Sequence, residues 1–550
     1  MPRFCLLENT GSGFYWNQFE TDRIPRPGNG RLTMTNTTSP QNYTADKNYD
    51  SEFCGSIPLH LVNLIQPHGI LLMLDKEELR IRQVSENVAQ SLHIQPDDIL
   101  HTLLADYLPA AQFEDLRNKL SNHLSQDKIP FTLHVNTQQQ QVTFTALIHP
   151  EEDYVLVELE EAKPYEAYSF IEFFQQVKYI TSRLKQAAST AEIAQMAADE
   201  LKRFTGFDRV LVYKFDEQWN GTVIGQAREA DMSDYMGLRF PASDVPRQAR
   251  ELYFKNPYRL IPTRQYQPAR LVPVINPLTQ RFTDLSDCNL RSVAGVHLEY
   301  LTNLNIMASM SLPIIIENKL WGLISCHHKQ AKNPAYEERT AMELLTAIIS
   351  TQLSSKERES NITLQAQLRG VHARLLEQVY NSTSFADGLL EGETHILELL
   401  SLTGAAVVYE GDVRTTGQTP EPQKLKELVS WLRRNSTERT FATNTLPRLY
   451  PNSQDYHQVA SGLIALPINR EQGEYILGFR EEVLQTVNWG GNPDQAIQME
   501  PDGKHYHPRN SFATYQETVK HTSIPWQDEE VAAAEALRSA VLEKIIREKY

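Results

Sequence analysis

AYEERTAMELLTAIISTQLSSKERESNITLQAQLRGVHARLLEQVY, residues 335–380, decides how the chain is partitioned. It holds no proline and one glycine, Gly370, and its apolar residues recur at Leu345, Ile348, Ile349, Leu353, Ile362, Leu364, Leu368, Val371, Leu375 and Val379. Spacing by three and four reads as helix, and at about 1.5 Å per residue roughly 45 residues would extend about 65 Å. Few globular cores need a helix of that length; a spacer that transmits strain between domains does. The plainer alternative is two ordinary helices broken near 354–360 or at Gly370.

Working outward toward the N-terminus, 165–204 carries Ile171, Phe174, Val177 and Ile180, then Ile193, Met196, Ala197 and Leu201, which predicts helices. Strand-like runs follow at 209–215, 222–227, 309–316 and 320–327, with a Pro-rich excursion over 256–282, so a second α/β domain fits 165–350. Runs at 70–74, 81–84, 142–148 and 154–159 predict a small α+β domain over 51–162. Residues 25–48 are Gly, Asn, Thr, Pro and Ser with hardly an aliphatic side chain, too little to offset the entropy of ordering, so 1–50 reads as a flexible leader.

Toward the C-terminus, strands at 405–409, 462–467 and 475–480 predict a third domain of similar plan over 351–525. Its last part, 481–525, is thin in apolar residues and punctuated by WGGNP and HPRNSF. A structureless loop of that length is uncommon and usually functional. Residues 526–550 place acids first and Lys and Arg near the end, with Val531, Ala534, Leu537, Val541 and Ile545 on one face. That is a dipole-matched amphipathic helix suited to pairing with a second copy.

The whole chain has 550 residues, 53 Lys+Arg against 69 Asp+Glu, a net charge of -16 and 41% hydrophobic residues. The length suggests about three to five domains. The acidic balance, with no basic block, argues against a nucleic-acid partner. The four cysteines, Cys5, Cys54, Cys288 and Cys326, share no CxxC or zinc-like spacing, which points to a reducing compartment. The start, MPRFCLLENTGSGFYW, has no charged segment followed by an apolar one, and no window approaches 18 apolar residues. The expectation is a soluble, cytoplasmic protein with no membrane partner.

Chemistry concentrates in the second domain. In RFPASDVP, residues 239–246, two prolines fix the backbone around Asp244. From composition alone Asp244 reads first as an N-cap for a helix over 247–254. Arg259 and Arg291 stand in apolar surroundings; surface exposure is the default, and burial would call for a carboxylate or phosphate partner. His297 and the adjacent His327 and His328 lack HExxH spacing, and neighbours on a strand face opposite ways, so no metal site is expected from them. Cys54, with no cation immediately beside it, reads by itself as a structural cysteine.

Taken in order, IQPHG at 65–69, VSEN at 84–87, VYKF at 212–215, RFPASDVP at 239–246, LRSVAGVHLEYL at 290–301, LWGLISCHH at 320–328, WGG at 489–491 and PRNSF at 508–512 resemble a phytochrome photosensory module of the bacteriophytochrome type. The likeness covers 51–550. It implies an α+β fold of tandem PAS, GAF and PHY domains with central antiparallel sheets, joined by a long helix. It further implies a PHY tongue over 481–525, and a figure-of-eight knot between the segment around Ile65 and the 256–282 excursion.

The resemblance implies a cofactor, biliverdin, a linear tetrapyrrole held by a thioether to a cysteine ahead of the PAS domain. Cys54, eleven residues before Ile65, matches it. Family members that use reduced bilins carry a cysteine just before the pyrrole-facing histidine, where this chain has Val296 ahead of His297; Cys288 is off register. The Asp244 carbonyl and His297 match the pyrrole acceptors, and Arg259, Arg291, Ser309 and Ser311 match the propionate contacts. Tyr213, Phe240 and Tyr300, with Val245 and Tyr253, match pocket residues, Tyr213, Phe240 and Tyr300 around the isomerising D-ring and His327 as that ring's carbonyl partner. Light would rotate the ring and move Asp244 between partners, among them Arg509 of the tongue, where Ser511 is the second expected contact. A tongue refolding between strand and helix would then pull on the long helix. Departures are the long leader, Val245 where isoleucine is commoner, and Ala294 and Ala308 in place of more polar residues.

The expectation is therefore a red/far-red photoreceptor sensory module, not an enzyme, acting as a homodimer with a histidine kinase or response-regulator output. The alternatives are a GAF-type small-ligand or nucleotide sensor without photochemistry, and the sensor part of a histidine kinase.

Overall fold

The computed structural model describes residues 58–122, 128–137, 141–162, 170–499 and 506–549. The chain divides into two compact units: the first runs through Gln352 and takes in Trp489–Tyr515, and the second comprises Leu353–Asn488 and Gln516–Tyr550.

The first unit contains two sheets. One has the strand order Leu64–Ile65, Ala269–Val272, Ile81–Ser85, Ile70–Leu74, Val155–Glu161, Gln141–Pro150, Ile129–Asn136. All of its pairings are antiparallel. Ile70–Leu74 is buried along its whole length, as its unbroken apolar run requires, and Leu72, Leu74, Ile81, Val84, Val157 and Leu159 share one core. Sequence reasoning passed over Ile129–Asn136. Its side chains do alternate between core and solvent, but Pro130 lies inside the run and weakens the signal; the strand sits at the sheet edge, where proline is tolerated.

Ala269–Val272 was not expected in this sheet either. It belongs to the Pro-rich excursion of the second domain, yet it pairs with Leu64–Ile65 on one side and Ile81–Ser85 on the other. Gln66 continues the contact by donating its backbone N–H to Leu290 O at 2.7 Å.

The other sheet is built on Arg259–Ile261, Ala308–Ile316, Lys319–His328, Arg209–Phe215, Gly221–Arg228 and Arg239–Phe240, and its order continues with the strands Gln485–Gly490 and Thr514–Val519, of which 489–490 and 514–515 belong to this unit. Trp489 joins it by pairing in parallel with Arg239. The part of 481–525 that is described is thus not structureless. Gln485–Gly490 and Thr514–Val519 are strands, and Ile497–Met499 pairs antiparallel with Tyr506–Pro508.

Tyr336–Asn381 forms one unbroken helix, the longer of the two readings. Several of its hydroxyls bond carbonyls one turn back, Thr346 to Met342, Ser350 to Thr346 and Thr363 to Glu359, and the helix runs unbroken through 354–360 and Gly370. At its start Arg339 makes a two-pronged bond to Glu160 of the first sheet, both at 2.8 Å.

The second unit holds a sheet of order Asp412–Gly417, Gly404–Tyr409, Glu474–Arg480, Gly462–Asn469, Phe441–Thr443. Asp528–Lys549 is helical, but the stripe read as a face for a second copy is used internally. Ala534, Leu537, Val541 and Ile545 are buried with Leu375, Val379, Leu389 and Ile464 in this unit's own core. The helix is anchored by Arg480, which donates to the carbonyls of Leu400 and Pro525 at 2.9 Å, pairs with Glu530 and lies 3.8 Å over the Trp526 ring. Among the described residues no helix is long and apolar enough to cross a membrane.

Candidate functional site

The loop at 239–246 is held by its prolines. Pro241 and Pro246 have φ of -69° and -64°, and between them Ala242–Asp244 makes a single 3-10 turn. The helix that follows, Arg247–Leu252, is capped by Pro246, so Asp244 is not the N-cap that composition suggested. Its carboxylate is free to point elsewhere.

It meets Arg509. The guanidinium donates Nη1 to Oδ1 and Nη2 to Oδ2, each at 2.6 Å, and Tyr300 Oη donates to Oδ2 at 2.8 Å. The two charged side chains are 3% and 9% exposed, so the contact is a desolvated fork-to-fork pair. Burial opposes the Arg509 charge, but Asp244 beside it more than restores it and its pKa rises. Tyr300 is held firmly protonated, first by burial and then by the Asp244 charge.

Aromatic rings enclose the pair. Arg509 lies 4.5 Å over the Phe512 ring and 5.6 Å over Phe240; Phe240 in turn takes Tyr213 and Tyr235 edge-on at 5.6 and 5.5 Å. Phe512 meets Tyr300 edge-to-face at 5.1 Å. Sequence reasoning named Tyr213, Phe240 and Tyr300 but missed Tyr235 and Phe512, although Phe512 closes the quoted PRNSF string. Gly490 is required here because a Cβ would come within 2.5 Å of the Phe240 ring, and Gly491 because its φ is +94° and a Cβ would strike Ser511 O.

Behind this cluster lie the basic residues. Neither arginine is a solvated surface charge. Arg291 is buried and donates to Leu285 O and Ser286 O; half-buried Arg259 donates to the carbonyls of Asn289 and Ser292 at 3.0 and 3.1 Å. Burial, and then the Arg259 charge, pushes the Arg291 pKa down to about 9. Such crowded cations are relieved by anions. Strand pairing sets Arg259 opposite Ser311, and Ser309 opposite both Ile261 and His327. Tyr253 shares a hydrogen bond with Ser311.

His297 stacks on Tyr300 with ring centroids 5.7 Å apart, and burial, with Arg259 adding to it, lowers its pKa to about 4. It is a neutral imidazole. His327 is buried, and Nδ1 accepts from Arg209 Nη2 at 3.0 Å while Nε2 faces Ser325 Oγ at 3.0 Å. Arg209 was not singled out from the sequence, because an arginine on a strand gives no sign that it will be buried. Here it is 1% exposed and lies 4.3 Å over Tyr235. Since a guanidinium can only donate, the His327 proton sits on Nε2.

Val245 ends the 3-10 turn and lends its carbonyl to Arg250 Nη1 at 2.7 Å. Ser511 is exposed, and its hydroxyl accepts from nearby Ala513 N. Cys54 lies outside the described residues. An open groove of about 700 Å³ elsewhere is lined by Asp199, Lys202, Arg203 and Arg228, and its three cations pair with Glu229, Glu200 and Asp234.

The donor set fits a linear tetrapyrrole: paired cations with hydroxyls for two carboxylate arms, neutral acceptors beside them, and an aromatic end. Comparison with known proteins agrees. The sequence matches the PAS fold over 54–162, the GAF domain over 189–355 and the Phytochrome region over 368–549. It is 40% identical to cyanobacterial phytochrome B of Nostoc sp. over 90% of this chain and 66% of that protein. It is 30% identical to a bacteriophytochrome of Pseudomonas aeruginosa over 89% and 66%. The crystal structure of a bacteriophytochrome from the photosynthetic bacterium R. palustris aligns with a TM-score of 0.81 at 36% identity, covering 90% of this chain and 99% of that one. The phytochrome photosensory core module of Stigmatella aurantiaca gives 0.80 at 37%, with the same coverage. The chain belongs to the phytochrome family and has the PAS-GAF-PHY organisation of its photosensory core. It spans 66% and 64% of the lengths of cyanobacterial phytochromes B and A of Nostoc sp., respectively.

Proposed function

We propose that this chain is the light-sensing part of a red/far-red photoreceptor, with biliverdin attached by a thioether to Cys54. The observation that carries the reading is the buried contact of Asp244 with Arg509 and Tyr300, which ties the 239–246 loop to the tongue. A bound bilin supplies red absorption and a double bond that light isomerises.

The chain's own residues supply the rest. Arg259 and Arg291, with Ser309, Ser311 and Tyr253, would hold the propionates. His297 and the Asp244 carbonyl would accept from the pyrrole N–H groups. Tyr213, Phe240, Val245 and Tyr300 would line the moving end, where the Nε2 proton that Arg209 enforces, now facing Ser325 Oγ, would let His327 donate to a carbonyl. Withdrawing Asp244 from Arg509 and Tyr300 would unpair a buried guanidinium, a cost that favours release of the tongue and its refolding.

The choice of Cys54 is supported by the other sulfurs. Cys288 and Cys326 are buried, and burial pushes both thiols up, away from the reactive thiolate. Val296 leaves no sulfur immediately before His297. On this reading 51–162 is the PAS domain, 165–350 the GAF domain and 351–525 the PHY domain, and the segment at Leu64–Ile65 passes through the excursion with which it pairs as a knot. The module works in the cytoplasm as a homodimer and passes its signal to a histidine kinase or response-regulator output.

Incubation of the full chain with biliverdin tests this. The expected product is a red-absorbing species that survives denaturation, converts under red light and is lost as a covalent adduct in Cys54→Ser. No such species would leave a GAF-type ligand sensor; an adduct that persisted in Cys54→Ser would move the attachment site.

A further inference from the structure

At the root of the 481–525 segment, in the second unit, His457, Glu482 and His521 come together from three separate stretches of chain. His457 follows the turn Pro451–Tyr456, Glu482 lies two residues beyond the strand Glu474–Arg480, and His521 lies two residues beyond Thr514–Val519. One ligand atom from each, two imidazole nitrogens and a carboxylate oxygen, lie within 4.8 Å of one another, and the two rings are 4.7 Å apart between centroids.

The hydrogen bonds around the three already orient them. His457 Nδ1 faces Gln454 O at 2.8 Å, and a carbonyl can only accept, so the ring carries its proton on Nδ1. The bare Nε2 then points at Glu482 Oε2, 3.4 Å away. Two lone pairs face each other across that gap unless a cation or an added proton lies between them. Glu482 Oε1 is taken by the His521 backbone N–H at 2.6 Å, which leaves Oε2 as the outward oxygen. An imidazole whose second nitrogen donates to a backbone carbonyl is the usual arrangement of a metal-bound histidine. With bonds of about 2.0–2.2 Å, ligand atoms of a tetrahedral zinc lie roughly 3.3–3.5 Å apart, the spacing already present between Nε2 and Oε2.

We propose that His457, Glu482 and His521 form a binding site for a divalent transition-metal ion, with zinc as the best chemical match for two imidazoles and one carboxylate. The His457 and Glu482 side chains keep 28% and 12% of their surface exposed, so an ion can enter and water can complete its shell. The ion would clip both ends of the segment to the domain: Glu482 N bonds Gln458 O, and Val483 N bonds Thr522 O across the root. Its binding would therefore restrain the element whose movement the proposed signalling requires, although the site rests on its own geometry.

A second cluster, His149, Glu158 and Cys288, does not share these features. Glu158 there spends Oε1 on His149 Nε2 at 2.7 Å and Oε2 on Leu290 N at 2.6 Å, the Lys128 charge bears on it, and those of Lys128 and Arg291 bear on Cys288. Both Glu158 oxygens are thus engaged, and burial holds the Cys288 thiol protonated.

Calorimetric titration of zinc into the chelator-treated full chain tests the proposal, with His457→Gln, His521→Ala and Glu482→Gln alongside. The expected result is one saturable site that weakens at least about ten-fold in each variant, while the variants melt in chelator within a few degrees of wild type. Zinc X-ray absorption on the wild-type chain gives a readout independent of variant folding, with two imidazoles, oxygen and no sulfur expected. Zinc affinity unchanged in the variants, no saturable site, or sulfur in the shell would overturn the assignment and leave a hydrogen-bonded His–Glu pair only.

Discussion

The Asp244 carboxylate and the Arg509 guanidinium are 265 residues apart in the chain and share two parallel hydrogen bonds of 2.6 Å. Removing one partner of such a pair leaves the other charged and buried, which costs about 3–5 kcal/mol. Arg509→Ala is therefore expected to expose 489–515 to protease while the far-UV spectrum changes little. Arg509→Lys, which keeps the charge but not the fork, should fall between. Equal protection in all three proteins would mean that the pair does not hold the tongue.

Gly490→Ala tests the same contact from the other side. The added methyl would sit 2.5 Å from the Phe240 ring, where something must shift. Because overpacking costs about 1–3 kcal/mol, protease cleavage within 489–515 should accelerate, and Phe240→Leu in the same chain should partly restore protection.

His297 makes stability depend on pH. Its folded pKa of about 4 lies below the ordinary imidazole value of 6.5, so the unfolded chain binds the extra proton first. The stability it contributes is fully present above about pH 6.5 and is lost as pH falls toward 4, at up to about 1.4 kcal/mol per unit. His68, also lowered to about 4 by burial, adds to the same window. Urea midpoints of the chain without a bilin, measured at pH 7.5, 6 and 5, should fall with pH. His297→Gln should flatten the slope, and an unchanged slope would contradict the assignment.

Arg209 acts through His327 as a positioning residue. Arg209→Met removes the donor that keeps the His327 proton on Nε2, and the red band of the biliverdin adduct should shift; Arg209→Lys, which still donates, should shift it less. A band that stayed in place in both variants would assign Arg209 to packing alone.

Much of this was readable along the chain, because it depends on neighbours in sequence. Periodicity placed the helix Tyr336–Asn381 and the strands Ile70–Leu74, Arg209–Phe215 and Glu474–Arg480. The strings around Asp244, His297 and Arg509 named the pieces of the site before any distance was known.

How distant pieces complete one another is set by the folded chain. Ala269–Val272 reads as loop because its pairing partners, near residues 65 and 84, are about two hundred positions away. The stripe on Asp528–Lys549 is equally apolar whether it meets a second copy or Leu375 and Ile464 of its own chain, and periodicity cannot tell these apart. Arg209, Arg259 and Arg291 look like surface charges until burial removes their water and leaves carbonyls and a histidine to satisfy them. Local patterning along the chain specifies which elements form and which side chains are on hand. Desolvation, a property of the folded interior, decided which of those side chains become a site.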